Sequence, residues 1–392
     1  MTLVQKLLAV ALASSFGAAH ASEPGKLSLW INADKGYAGI QKVGDAFAKK
    51  SGVPVTVEHP EDAPGKFQQS AAAGKGPDIW CWPHDRAGEW IAAGLIDPIK
   101  PSKKMVDEIE PTAWKAFTMN GKVWAYPISI EAIALIYNKA LVATPPKTME
   151  EIPALDKKLK EKGKSAILWE YQNTYFSWPL LAANGGYPYK QKPDGSYDPS
   201  DSGVNNAGAI KGAELIAKFV KEGIVPEDTS GVDTESGVNA GEVAMMINGP
   251  WAWDNLKKSK IDFGVAPIPS VAGKPASPFL GVLGCMINHS SKNKELAVEF
   301  LEKHLLTVPG LKEINAAVPL GVPANKAFFN ELKNDPAIKA TMASAANGKP
   351  MPNNPEMSRF WASMAPALGN LANGRQTPKE ALDNAAKRMT TK

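Results

Sequence analysis

Cysteine is nearly absent: Cys81 and Cys285 are the only two in 392 residues. That excludes a scaffold stapled by several disulfides and any zinc motif built on cysteine pairs. Two cysteines so far apart leave their pairing undetermined, and the simple expectation is two small buried thiols in strands. Histidine is scarce as well. Of five, His20 falls in an apolar leader, and His59, His84, His289 and His304 show no H-x-x-x-H spacing, so no metal site is expected. The sequence also lacks a G-x-G-x-x-G following a strand, a Walker loop and a G-x-S-x-G elbow. The signatures of dinucleotide binding, nucleotide hydrolysis and α/β-hydrolase chemistry are therefore missing, and no cofactor is expected. Long apolar runs are lacking too: the best candidate beyond the leader, residues 125–137, contains Pro127 and Glu131 and does not suit a bilayer. Nor is there charge of one sign. Lys and Arg number 44 against 40 Asp and Glu, interleaved as in Lys157-Lys-Leu-Lys-Glu161, without the clustered basic stripe of a nucleic-acid binder.

What remains is ordinary globular composition, 44% hydrophobic and 21% charged. Residues 1–21 read as a secretory signal peptide: Lys6 opens it, an Ala/Leu-rich stretch forms its centre, and Ala19-His-Ala21 is a small-x-small cleavage site before Ser22. No cysteine follows that apolar stretch to carry a lipid, so the expected product is a soluble exported protein. The rest is long enough for two domains with real cores.

The first third alternates strand and helix. Residues 26–32, 53–57 and 77–81 read as strands, and 40–50 as a helix with Ile40, Val43 and Phe47 on one face and Gly52 as its stop. Such alternation argues for an α/β layered domain with a largely parallel sheet. A second α/β region follows. Thr148-Met-Glu-Glu151 fits a capping box, a helix runs from Pro153 to Gly163, and 166–169 forms a strand. Residues 210–220 read as a helix, and Pro193-Asp-Gly195 as the turn of a hairpin. Strands are expected at 244–248, 263–266 and 279–287, and the last hundred residues are mostly helical.

Eleven tryptophans stand out, several beside planar polar groups where strands end. Trp30-Ile-Asn-Ala-Asp-Lys-Gly-Tyr37 leaves the first strand and Trp80-Cys-Trp-Pro-His-Asp-Arg86 the third; Tyr126-Pro-Ile-Ser-Ile-Glu131, Asn248-Gly-Pro-Trp-Ala-Trp253 and Phe360-Trp361 come later. Ligands of open α/β sheets bind outside the carboxyl ends of strands, where these residues fall. The combination suits a sugar. A pyranose has apolar C–H faces for indole rings and a fringe of hydroxyls for carboxylates, Lys and Arg. Trp30 and Trp80, inside strands, are expected to be core.

These residues resemble a known family, the maltose/maltodextrin-binding proteins of bacterial ABC importers, class II periplasmic binding proteins. The resemblance runs from about Gly25 to Thr390. It is carried by Trp30–Tyr37 and by Val55-Thr-Val-Glu-His-Pro60, Gly76-Pro-Asp-Ile79, His84-Asp-Arg86, Leu135-Ile-Tyr-Asn-Lys139, Glu151-Ile-Pro-Ala-Leu-Asp156, Ile247-Asn-Gly-Pro-Trp-Ala-Trp253, Pro278-Phe-Leu-Gly-Val-Leu283 and Gly374-Arg-Gln-Thr377. It implies a two-lobed α/β fold, each lobe a sandwich around a mainly parallel five-stranded sheet, with hinge crossings between lobes. Lobe one would be 22–130 plus 285–330, and lobe two 131–284 plus 331–392. The family's sheet order would set the strands of Cys81 and Cys285 side by side. The implied protein is periplasmic, monomeric and not an enzyme; the partners the resemblance implies are a membrane permease–ATPase complex and, as a further candidate, a chemoreceptor. Carried over residue by residue, the sugar contacts would be Asn32, Asp34, Lys35, Trp82, Asp85, Arg86, Glu131, Asn173, Tyr175, Trp251, Met351 and Trp361. Trp253 would be packing behind them.

This chain departs from the family in four places. Asn173 replaces a glutamate, Ala365 an arginine, Pro64 and Gly65 acidic residues, and a tyrosine expected near Gly231 is missing. A weaker grip at one end of the groove, or a shifted preference in chain length, is the expected consequence. Two rivals stand beside the maltodextrin carrier: a carrier for another oligosaccharide such as a cyclodextrin, and a secreted glycosidase using a carboxylate pair among Asp34, Asp85 and Glu131.

Overall fold

A computed structural model describes residues 22–391; the signal-peptide reading lies outside the described residues. Strands are β1 (Leu27–Trp30), β2 (Val55–Glu58), β3 (Ile79–Pro83), β4 (Tyr126–Glu131), β5 (Ala134–Asn138), β6 (Ser165–Leu168), β7 (Val243–Asn248), β8 (Phe263–Ala266), β9 (Phe279–Asn288) and β10 (Val322–Pro323). The helices used below are α1 (Tyr37–Ser51), α2 (Ala63–Ala72), α3 (Ile152–Lys160), α4 (Thr174–Ala182), α5 (Ala207–Lys221), α6 (Gly231–Asn239), α7 (Val308–Ala317), α8 (Met357–Ala372) and α9 (Pro378–Thr390).

Local chemistry accounts for these elements. Ile40, Val43 and Phe47 of α1 are buried at helical spacing, and Gly52 ends the helix in the left-handed conformation, its N–H donating to Ala48 O. Gly39 lets α7 approach: a Cβ there would sit 2.2 Å from Glu313 O. The hairpin at Pro193–Gly195 forms, pairing Lys190–Gln191 with Tyr197–Asp198. The capping box at Thr148 does not. Thr148 and Glu151 join side chain to side chain at 3.2 Å, while Met149 N–H donates across to Ser270 O, so the residues enter a short 3-10 turn before α3. Reciprocal capping boxes stand instead at Ser230/Asp233 of α6 and Thr377/Glu380 of α9.

The first sheet has eight strands rather than five, running β10-β4-β9-β3-β1-β2 with the short strands Ile96–Asp97 and Lys349–Pro350 also paired to β9, and the second runs β8-β5-β7-β6. β1 is parallel to β2 and β3, and β6 to β7; β9 is antiparallel to both β3 and β4, and β5 to both β7 and β8. The sheets are thus mixed rather than mainly parallel, and the second has four strands rather than five. Connectivity is the reason. β4 carries the chain out of the first core and β9 brings it back, so the two run in opposite senses.

Two hydrophobic cores follow. One draws on 27–128, 282–287 and 297–328, and the other on 133–279 and 338–389. Core membership changes between Ile128 and Ile133, between Phe279 and Val282, and between Phe328 and Ile338, so β9 contributes side chains to both cores.

Cys81 and Cys285 are not free thiols. They are directly opposite on β3 and β9 and form a disulfide, fully buried, across a sequence separation of 204. A second tie lies at the other end of the same strands. Asp78, buried, accepts from the Ser22, Ser28 and Ser291 hydroxyls, the Ser28 amide and Asn293 Nδ2. Five donors satisfy a carboxylate that burial would otherwise make costly.

Candidate functional site

A cavity of about 720 Å³ lies between the two cores. From the first core, β1 ends in the loop that presents Asn32, Asp34 and Lys35, and β3 ends in Trp82 followed by the turn His84–Arg86. Trp80 and Trp82 fall on one face of β3 and stack, centroids 5.3 Å apart, with Phe67 of α2 against Trp80 at 4.8 Å. Trp82 is therefore the outermost ring of a three-ring column, held rigidly where it faces the cavity. From the second core, α8 presents Trp361, backed by Phe279 and Phe360, with Trp178 stacked on Phe279 at 4.8 Å. Tyr175 of α4 and Trp251 lie 6.5 Å apart beside it. Three crossing residues complete the floor: Glu131 at the end of β4, and Gly281 and Leu283 on β9.

Charged groups are threaded between these rings. Lys35 Nζ is 2.9 Å from Glu131 Oε1, 3.9 Å from Asp34 Oδ2 and 4.1 Å from the centre of the Trp251 ring. Burial works against its charge, but the Glu131 and Asp34 carboxylates outweigh it and hold the ammonium above its ordinary pKa. Trp361 Nε1 donates to Asp85 Oδ2 at 2.9 Å, a hydrogen bond from one core to the other. Burial pushes the Asp85 carboxyl up to about 6, against the pull of the Trp361 N–H and the Arg86 charge. Arg86, which also lines the cavity, is paired within its own turn, both Nε and a terminal nitrogen held 3.0 Å from Glu89 Oε2. Tyr175 is raised well above the usual phenol value by burial and by the Glu131, Asp85 and Asp34 charges.

Behind the floor, the Val282 amide donates to His84 Nδ1 at 3.0 Å, which leaves Nε2 to donate to Met351 O at 2.9 Å. The imidazole thereby links β9 to the segment carrying Met351, and burial lowers its pKa to about 4.

All twelve residues singled out from sequence line this one cavity: Asn32, Asp34, Lys35, Trp82, Asp85, Arg86, Glu131, Asn173, Tyr175, Trp251, Met351 and Trp361. Trp30, Trp80 and Trp253 are buried in the cores. Asn173 has a structural task as well: it caps α4, its Oδ1 accepting from the Tyr175 amide at 3.2 Å. Of the departures, Pro64 and Gly231 line the cavity. Sequence reasoning missed Glu170, Glu235 and Asn248, which line it too. Asn248 ends β7 beside the aromatic Gly-Pro-Trp segment, and Glu170 stands between Trp169 and Tyr171 just past β6, so both were open to notice; Glu235, in Asp233-Thr-Glu-Ser236, has no aromatic neighbour to mark it. Among the described residues no group of three or more His, Cys, Asp or Glu side chains could hold a metal ion. No helix among them is long and apolar enough to cross a membrane.

Residues 42–340 match the model of the bacterial extracellular solute-binding proteins. The chain is 33% identical over 394 residues to a galactooligosaccharide-binding protein of Bacillus subtilis, an alignment covering 95% of this chain and 90% of that one. It is 29% identical over 363 residues to a maltotriose-binding protein of Pyrococcus abyssi, covering 88% and 77%. A maltodextrin-binding protein of Bacillus subtilis is 29% identical over 406 residues, covering 98% and 94%. A cleft walled by aromatic rings, a chain shared nearly end to end with these relatives and the family match agree: the protein belongs to the bacterial extracellular solute-binding proteins.

Proposed function

We propose that the protein captures maltose and maltodextrins between its two cores and hands them to a membrane ABC importer. The observation that carries the reading is the cavity itself, where Trp82, Tyr175, Trp251 and Trp361 offer flat apolar faces and Asp34, Lys35, Asp85 and Glu131 offer ionised hydrogen-bonding groups. Each charge-assisted bond to a sugar hydroxyl is worth roughly 1.5–3 kcal/mol, so a handful outweighs the cost of ordering ligand and protein. The two cores act as lobes and the three crossings as the hinge. Ligand touches both lobes only when they are together, so it draws the population toward the closed form, the form an importer would read. Transport energy comes from the partner's ATPase, and the exported location follows from the leader. Galactosyl oligomers are the second reading, favoured by the relative named a galactooligosaccharide-binding protein.

Calorimetry and tryptophan fluorescence with maltose, maltotriose, maltotetraose and β-galactosyl oligosaccharides test both. The expected result is saturable binding of the glucose series at about −8 kcal/mol or better, that is micromolar or tighter. Selective binding of the galactose series would replace the first reading with the second. Shorter products from maltotetraose would establish a glycosidase instead.

A further inference from the structure

The carboxylates of the cleft differ in what balances them. Glu131 and Asp34 share Lys35, and Asp85 has the Trp361 indole and the Arg86 charge. Glu170 and Glu235, on the second core's side, have only amides. Asn173 Nδ2 donates to Glu170 Oε2 at 3.2 Å, and Asn248 and Asn255 donate to Glu235 at 3.4 and 3.2 Å. Among the described residues these are the hydrogen-bond partners of both groups, and neither makes an ion pair. An ionised carboxylate offers about four acceptor positions, so one amide contact leaves Glu170 most of its capacity for hydroxyl donors.

Gly231 keeps that capacity uncovered. A Cβ at this position would stand 3.2 Å from Glu170 Oε2 and touch nothing else closely, so any side chain there would lie over the carboxylate. Gly231 and Glu170 both line the cavity. Their place along it follows from the neighbours. Trp361 with Asp85 makes one aromatic seat, and Trp251 with Tyr175 a second, surrounded by Lys35 and Glu131. Glu170, on the loop leading into the Asn173 cap, is hydrogen-bonded to Asn173 and, among the described residues, to no member of either seat.

We infer that Glu170, left bare by Gly231, is a specificity-determining residue that accepts hydrogen bonds from the hydroxyls of an outer hexose, the third or later unit of a neutral oligosaccharide. The inference rests on the sugar-binding reading above and deepens it. It also reverses the weaker grip expected from Asn173: the amide there steadies a carboxylate supplied three residues earlier.

The test is calorimetry on the full chain, wild type against Glu170→Gln and Gly231→Leu, with di-, tri- and tetrasaccharides of both the maltose and the β-galactosyl series. Whichever series the wild type binds, both variants should lose about tenfold in affinity for the tri- and tetrasaccharide and stay within about twofold for the disaccharide. Gly231→Leu shields the carboxylate without altering it, so a folding defect in Glu170→Gln, visible as a lowered melting temperature, leaves the question answerable. Equal losses at all lengths, or no loss in either variant, would overturn the inference while leaving the sugar reading intact. A wild type that takes up neither series overturns both, and is recognised before any variant is compared.

Discussion

His84 and Asp85 are neighbours with opposite burdens. His84 is buried neutral between Val282 N–H and Met351 O, its pKa held down near 4, whereas the unfolded chain titrates near 6.5. Between those values the unfolded state binds the extra proton, so His84 removes stability as pH falls from 6.5 toward 4. Asp85 works the other way. Its carboxyl is raised from 3.8 to about 6, so over that window the folded state holds the extra proton and stability falls as pH rises. The two contributions nearly cancel between pH 4 and 6. Replacing Asp85 by Asn removes one of them and should expose the other: a variant whose unfolding free energy climbs by roughly 3 kcal/mol from pH 4 to 6.5, against a flatter wild-type profile. Urea melts at half-unit pH steps measure it, and parallel profiles would show that the pair does not balance. This detail was not legible in the sequence. His84-Asp-Arg86 is readable as a segment leaving the third strand, but the opposing shifts depend on partners 198 and 276 residues away.

At the scale of elements, the pairing of β3 with β9 matters most. It joins the strand bearing Trp82 to the strand shared by both cores, and the Cys81–Cys285 bond fixes their register at the cavity floor. Tying a loop this long restricts the unfolded chain strongly, by about 5 kcal/mol in the chain-entropy account, an upper figure for what the bond contributes. Cys81→Ser with Cys285→Ser should therefore lower the melting temperature substantially, and a reducing agent should lower that of the wild type while leaving the double variant unchanged. Identical melting of all samples would mean that sheet pairing alone sets the register. Strand and helix positions were largely readable, because Ile40, Val43 and Phe47 or the Phe263–Ala266 run carry their periodicity on the surface of the sequence. Strand direction was not. Nothing in Leu283-Gly-Cys285 says that it runs against Trp80-Cys-Trp82, since direction is set by which core the chain has just left. The Thr148 box failed for a similar reason: a remote strand bridge at Ser270 claimed the backbone that the motif would have used.

For the whole molecule, few side chains reach across the cleft. Among the described residues, the Asp85–Trp361 hydrogen bond, the Lys35 ammonium over Trp251, His84 Nε2 donating to Met351 O and Asn353 Nδ2 donating to Ala116 O do so, with Pro250 close to Gly321 on the other flank. Trp361→Phe keeps an aromatic face but deletes the N–H. A bond to a charged acceptor is worth roughly 1.5–3 kcal/mol, so its loss should shift the ligand-free balance toward the open form by tenfold or more. Small-angle scattering of the ligand-free variant should give a larger radius of gyration than the wild type, returning to the wild-type value at saturating ligand; an unchanged radius would locate the closing force elsewhere. The twelve cleft residues were legible through their resemblance to a family, but the division of the chain into two interleaved cores has no local mark in the sequence.

That interleaving has a consequence for how the protein is made. The first core contains β1 to β4 from the opening third of the chain, yet its central strand, β9, spans Phe279–Asn288. The second core waits on α8 and α9, which end at Thr390. On a ribosome the amino-terminal strands therefore emerge long before the partner that must lie between them, and the first core waits for residues up to Phe328 while the second waits almost for the end of the chain. The nascent polypeptide stays incomplete until its final quarter has been synthesised.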